Sequence, residues 1–157
     1  QAEPQLRQDV LKAWAVDALG AEQPRFTPWT LGPRVAMALG FALAEDKTAQ
    51  QLDMSSRSVS DEGVRAIAKA LHRNETLTSL VLANNELGDK AMKPLGVALA
   101  QNRGLLTLSL AHNRISETGA QALTKGLGLN PSLQLLDLRD NGLPLWVGNL
   151  DARIKIR

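Results

Sequence analysis

A pattern of leucines that returns every 28 residues constrains the fold of this chain more than any other feature of its sequence. Segments starting at Leu77, Leu105 and Leu133 follow the order L-x-x-L-x-L-x-x-N-x-L, with Ile as the last apolar residue of the second copy. In each copy the second and third leucines are two residues apart, so both side chains point to one face of an extended strand. The sequence therefore predicts three short strands in equivalent positions.

An asparagine follows each predicted strand, at the point where the chain must turn away from a sheet. A buried turn leaves backbone amide and carbonyl groups without partners, which is costly. An asparagine side chain can donate and accept, so asparagines stacked at one level can connect neighbouring turns. We predict a structural ladder formed by Asn85, Asn113 and Asn141, and helix-end roles for the equally spaced Asn74, Asn102 and Asn130.

Between the strands, apolar residues recur at i, i+3, i+4 and i+7, which is the pattern of one helical face. Helices are predicted over residues 61–73, 89–101 and 117–129, with Ser60 and Ser116 as N-terminal caps. Pro94 lies inside the second of these. Because proline removes a hydrogen bond and crowds the preceding turn, we expect that helix to start late or to kink near residue 93.

The motif, its period and the helical segments together resemble the leucine-rich repeat family, and specifically its ribonuclease-inhibitor-like class. The resemblance spans roughly residues 24–143. It implies an α/β leucine-rich-repeat solenoid with parallel strands on the inner curve and helices outside, in which each unit buries its apolar face against its neighbours. Such repeats typically bind proteins, so the resemblance implies a non-enzymatic protein-interaction module.

We predict a single domain with four parts: a helical N-terminal cap (1–23), a degenerate repeat (24–59), the clean repeats (60–143) and a C-terminal cap or tail (144–157). Residues 4–20 form an amphipathic pattern, and residues 153–157 alternate as in a short terminal strand. The aromatic residues lie outside the clean repeats. They are expected to plug the ends of the solenoid, or alternatively to provide an interface anchor at Trp29 or Trp146.

Composition narrows the class of partner. The chain has 157 residues, a formal net charge of +2 and no cysteine. This charge is too small to demand a nucleic acid partner, and no apolar run is long enough for membrane insertion. The chain begins with Gln, so we expect a fragment or a processed product. An intracellular, cytoplasmic location is expected, with an organelle as the alternative if a presequence has been removed.

No catalytic, cofactor-binding or metal-binding pattern is present in the sequence. His72 and His112 belong to different predicted elements and have no acidic pair at metal-ligand spacing. His72 is interpreted as a solvated helix residue. Asn74-Glu75-Thr76 matches a glycosylation signal, but the repeat register explains Asn74 as a helix-end residue.

The partner-binding site is predicted on the outward side chains of the inner strand face. These positions vary between repeats while the leucines stay fixed; they are Val81, Ser109, His112, Asp137, Arg139 and Asp140. The alternative surface is a basic stripe on the outer helices, formed by Arg65, Lys69, Arg73, Lys90 and Lys93. The alternative function is that of a structural accessory subunit in a large multiprotein assembly.

Overall fold

A computed structural model describes residue 40 and residues 42–156 of the chain. Strands and helices alternate along it, and the last helical segment is a short 3-10 helix. The elements are β1 (Gln51–Asp53), α1 (Asp61–Leu71), β2 (Ser79–Val81), α2 (Asp89–Gln101), β3 (Thr107–Ser109), α3 (Glu117–Leu129), β4 (Leu135–Asp137), the 3-10 helix (Leu145–Asn149) and β5 (Ile154–Lys155).

The five strands form one parallel sheet in sequence order. Leu52, Leu80, Leu108 and Leu136 are successive partners across it, so the repeat period is also the register of the sheet. The last pair differs, because Leu136 pairs with Ile154. The terminal strand predicted from alternation at residues 153–157 is therefore confirmed. It joins the sheet after a shortened coil, where a coil is one turn of the solenoid with its strand and its helix.

The core is the layer between the sheet and the helices. The leucines of the repeat are buried, and each helix turns its predicted apolar face to them, including Ile67, Leu95 and Leu123. Val147 from the 3-10 helix closes the C-terminal end of this core and is fully buried. Since no coil could cover its own leucines, stacking supplies the burial.

The expected late start of the second helix is wrong. α2 begins at Asp89 and contains Pro94 in its interior. The missing amide costs one hydrogen bond. Met92 and Leu95, on either side of the proline, are fully buried, and their packing holds the helix in its repeat position.

Both predicted sets of asparagines connect neighbouring coils. The Asn113 amide nitrogen donates to the carbonyl oxygens of Leu82 and Leu110, while its oxygen accepts from the backbone of Asn85 and Leu87. Asn85 and Asn141 make equivalent bonds. The ladder therefore begins at Asn85, as predicted.

At the other edge, the helix ends are joined in the same way. Asn102 donates to the carbonyl oxygens of Leu71 and Asn74, at 2.7 Å each, and accepts from the Leu105 amide. Asn130 donates to the carbonyls of Leu99 and Asn102. Asn74 is 0% exposed, which agrees with a structural role for this asparagine.

In the last coil an arginine takes the place of the helix-end asparagine. Arg153 donates to the carbonyl oxygens of Leu127, Asn130 and Leu133. Asp151 holds the guanidinium through its Nε and Nη2 atoms. Hydrogen bonds from the Arg153 guanidinium favour the charged form of Asp151, so the pKa of Asp151 is lowered.

Several predictions lie outside the described residues: the helical cap with its amphipathic pattern over 4–20, the first part of the degenerate repeat and any role of Trp29. Within the predicted degenerate repeat at 24–59, residues 42–45 are helical, with Ala42 and Leu43 buried. Within the part of the chain that the structure describes, no helix combines the length and the apolar character needed to cross a membrane.

Candidate partner-binding surface

The inner face of the solenoid presents the strand residues that alternate with the buried leucines. Val81 and Ser109 are paired neighbours on β2 and β3, and both are half-buried. The hydroxyl of Thr107 donates to that of Ser79 at 3.0 Å. β2 and β3 therefore present small side chains on this face, and the charged residues Asp53 and Asp137 lie on the strands to either side, β1 and β4.

Asp137 and Arg139 form an ion pair at the C-terminal end of the inner face. Nε and Nη2 of Arg139 donate to the Asp137 carboxylate at 2.9 and 2.7 Å, and the Arg139 backbone amide donates to it as well. The side chain of Asp137 is only 9% exposed, whereas that of Arg139 is 48% exposed. The hydrogen bonds from Arg139 lower the pKa of Asp137, which holds the carboxylate in its charged form.

Asp137 is therefore paired within its own turn, and its role in the predicted partner-binding site stays a prediction. Its side chain is occupied by a turn interaction, in which a carboxylate accepts from the residue two positions later. Asp53 makes the same bond to the Ser55 amide in the first described strand. Asp137 therefore stabilises the turn at the end of β4, and only Arg139 of this pair reaches the surface.

His112 and Asp140 lie side by side at the strand exits, next to Arg139. Nε2 of His112 is 3.3 Å from the Asp140 carboxylate, and both side chains are well exposed. The predicted proximity of His112, Arg139 and Asp140 is thus present in the structure. Lys155, the partner of Asp137 on β5, extends the cluster and was not predicted, because the sequence does not reveal the shortened last coil.

Backbone conformation supplies a second reason for these residue types. Ser56, Asn84, His112 and Asp140 occupy one column, and all four have a positive φ of 53° to 56°. Among residues other than glycine, Asn, Asp and His are the most enriched in this left-handed region. The fold therefore does constrain this column, contrary to the expectation that it leaves these identities free.

The arrangement can act as a fixed set of hydrogen-bonding groups. Asp137 orients the guanidinium of Arg139, and Nη1 makes no hydrogen bond to the residues that the structure describes. A guanidinium held in this way can donate to a carboxylate or carbonyl oxygen with little loss of side-chain entropy. Asp140 places an acceptor beside it.

The outer face carries the basic stripe as predicted, with all five of its cations exposed. His72, at the end of α1, is exposed, and its Nδ1 lies 2.6 Å from the Gln101 side-chain oxygen. A groove of about 360 Å³ opens between α1 and α2. Sequence reasoning missed this groove.

Trp146 is 40% exposed and does not plug the C-terminal end, which Val147 closes instead. Leu145 and Leu150 beside it are exposed too. Among residue 40 and residues 42–156, no three His, Asp or Glu side chains are grouped so that they could hold a metal ion.

Comparison with known proteins identifies the repeat. A family model described as "Leucine Rich repeat" matches residues 73–96 and 101–123. Among solved structures, the chain is similar to "Leiomodin-1 Actin-Binding Site 2 (ABS2)", with 22% sequence identity, a TM-score of 0.67, and coverage of 95% of this chain and 87% of that chain. No curated protein matches. At this identity the likeness concerns the fold alone. Together with the parallel strands and alternating helices, it confirms the predicted α/β leucine-rich-repeat solenoid.

Proposed function

We propose that this leucine-rich-repeat solenoid is a non-enzymatic protein-binding module that holds its partner on the inner, strand-lined face. The repeat and the similarity to a domain named for actin binding support a protein as the kind of partner. The identity of the partner is left to experiment. The ribonuclease-inhibitor-like class remains a prediction from the 28-residue period.

The observation that carries the proposal is the geometry at Arg139. Its guanidinium is fixed by a buried carboxylate and attracted by Asp140, which pairs with His112, and its Nη1 makes no hydrogen bond to the described residues. Fixed charged groups on a rigid sheet orient a partner at low entropic cost.

The test begins with a native pull-down and mass spectrometry to obtain the partner, followed by affinity measurement with variants. His112→Asn with Asp140→Asn removes the imidazole and the carboxylate while keeping residue types that accept a positive φ. Arg139→Gln removes the guanidinium. Each change is expected to weaken binding about tenfold or more, because a charge-assisted contact is lost.

Lys125→Gln serves as the matched control, because it removes an exposed charge from the outer surface of α3. It should leave the affinity unchanged. Unchanged affinity in the inner-face variants, with thermal stability preserved, would contradict the proposed surface.

One observation favours the alternative role as a subunit of a large assembly. Leu145, Trp146 and Leu150 leave an apolar surface at the C-terminal end. Such a surface is often covered by another protein. Sedimentation of the native protein tests this role: a subunit should always travel in one large complex, and a substantial free pool would exclude it.

A further inference from the structure

The spacing between adjacent helices is not uniform along the solenoid. α2 and α3 pack more closely than α1 and α2. A Cβ atom added at Gly96 would collide with the carbonyl oxygen of Ala122, and one added at Gly126 would collide with that of Gly96. The close approach of α2 and α3 therefore depends on two glycines.

The positions equivalent to these glycines are larger between α1 and α2. One period earlier, Gly96 corresponds to Ala68, Gly126 to Ala98 and Ala122 to Pro94. Methyl groups then stand where the tighter pair has glycine, and a proline ring stands in place of the Ala122 methyl group. On the other side of α1, Gly40 again has the Ala66 carbonyl oxygen within 2.8 Å of its ideal Cβ position. The gap between α1 and α2 thus has a steric cause in the sequence.

That gap is the groove noted above, and its lining is amphipathic. Ala68, Pro94 and Val97 form an apolar floor, and Val97 is 50% exposed. Arg65, Lys69 and Lys93 stand along it, and His72 closes one end through its contact with Gln101. The lining includes no carboxylate and no Phe, Tyr or Trp ring.

The cations of the groove have no counter-charge within the part of the chain that the structure describes. Arg65, Lys69 and Lys93 make no ion pair there, whereas Arg73, just beyond the groove, reaches Glu45 at 3.9 Å. Among the acidic residues at the starts of the two helices, Glu62 makes no ion pair with the described residues, and the other two contact groups outside the groove. Asp61 accepts from the Gly88 amide, and Asp89 accepts from Ser116.

We propose that the groove between α1 and α2 binds an acidic, amphipathic peptide segment of a partner protein. One apolar side chain of that segment lies on Pro94 and Val97, and its carboxylates lie against Arg65, Lys69 and Lys93. The positive charge of these three side chains selects an acidic ligand, while burial of the half-exposed Val97 adds a hydrophobic contribution to the affinity. Nucleic acid is disfavoured, since the lining has no Phe, Tyr or Trp ring for bases to stack on and the His72 ring is held by Gln101.

The test uses the full chain and fluorescently labelled peptides of about three helical turns, followed by anisotropy. The probe peptide carries one Leu stripe with Glu at the flanking i and i+4 positions. Comparison peptides replace every Glu by Lys or every Leu by Ser, and a single-stranded oligonucleotide is the fourth probe. We expect binding of the acidic amphipathic peptide, weakened by added salt, and much weaker binding of the others.

Lys69→Glu with Lys93→Glu is expected to reduce this affinity about tenfold or more, because two attractions become repulsions. Val97→Ser should reduce it about threefold without changing the charge. Lys125→Glu is the matched control, since it lies at the level of Lys69 on the closely packed α3, outside the groove; it should change the affinity less than about twofold.

The proposal is independent of the inner face, so His112→Asn with Asp140→Asn should leave peptide binding unchanged. Failure of the acidic peptide to bind would overturn it. Equal binding of the peptide that lacks leucine, equal loss with Lys125→Glu, or tighter binding of the oligonucleotide would do so as well. Equal binding without leucine and equal loss with Lys125→Glu would indicate attraction by charge alone. Tighter binding of the oligonucleotide would indicate a nucleic acid surface.

Discussion

The middle of the solenoid and its C-terminal coil satisfy the same backbone groups with different side chains. Asn102 and Asn130 each donate to two carbonyl oxygens of the preceding coil, at the end of its helix. In the last coil, Arg153 donates to the carbonyls of Leu127 and Asn130, which are the next members of the same two series. Helix C-termini always leave carbonyl groups in need of donors. The constant feature is therefore the set of acceptors.

The difference follows from the length of the last coil. Leu136 pairs with Ile154 at an offset of 18 residues (154 − 136), whereas Leu108 pairs with Leu136 at 28 (136 − 108). A 3-10 helix replaces the α-helix, and the chain reaches the sheet edge with fewer residues. The long side chain of Arg153 bridges the remaining distance, and Asp151 fixes its orientation. An asparagine suffices only where a full coil brings the backbone close.

The largest expected loss of stability is that of Asn102→Ala, in the middle of the solenoid. Three buried backbone groups lose partners: the carbonyls of Leu71 and Asn74 and the amide of Leu105. We expect a loss of about 3 kcal/mol in the free energy of unfolding, measured by urea denaturation. Asn102→Asp, which keeps the acceptor and removes the donors, should be destabilising as well. A loss below about 1 kcal/mol would mean that water replaces these bonds.

At the strand exits, the middle of the ladder and its C-terminal end should differ in the same direction. Asn113 is buried, whereas Asn141 is half-buried and has the shortened coil beside it. Asn113→Ala is expected to cost about 2 kcal/mol and Asn141→Ala about 1 kcal/mol, because water can reach the groups freed at Asn141. Equal losses in parallel denaturation curves would show that the C-terminal coil shields Asn141 fully.

Arg153→Ala is expected to cost about 1 kcal/mol, since its acceptors lie at the open end of the array. Arg153→Lys keeps a charged donor but loses the fork that spans several carbonyls, so it should recover only part of this loss. Thermal melting of the three proteins measures the difference. Full recovery by lysine would show that charge, and not the geometry of the guanidinium, caps the array.

The smallest expected effect is a dependence on pH at the same site. The pKa of Asp151 is lowered from its ordinary value of 3.8 by its hydrogen bonds from Arg153. The stabilisation is therefore fully present above about pH 4 and is lost as the pH falls through the lowered value. Asp151→Asn should narrow the stability difference between pH 6 and pH 3, measured by thermal melting. An unchanged difference would show that the pair contributes nothing to folding.

The leucine layer, both asparagine series and the three helices could be predicted because each obeys the 28-residue period. The role of Arg153 could not, since the repeat register fails after Asn141 and no local pattern states how short the next coil is. Pro94 was misjudged because helix propensity is local, whereas packing of Met92 and Leu95 acts through the neighbouring coils.

The candidate site was harder to predict than the fold. Strand alternation correctly placed Asp137 on the outward side, but it could not reveal that Arg139 folds back to cover it. The positive φ of His112 and Asp140 also depends on turn geometry that the leucine pattern does not describe. The groove did leave a signal in the sequence, in the exchange of Gly96 and Ala122 for Ala68 and Pro94 one repeat earlier.

The two asparagine series also have a consequence for the way the array comes apart. Asn113 forms hydrogen bonds to backbone groups of its own coil and of the preceding coil, and Asn102 does the same at the opposite edge. One coil therefore cannot open without breaking bonds that belong to its neighbour. In a nearest-neighbour description, this coupling makes the stack unfold as one cooperative unit. Hydrogen exchange should then be slowest at amides such as that of Leu105, deep inside the stack.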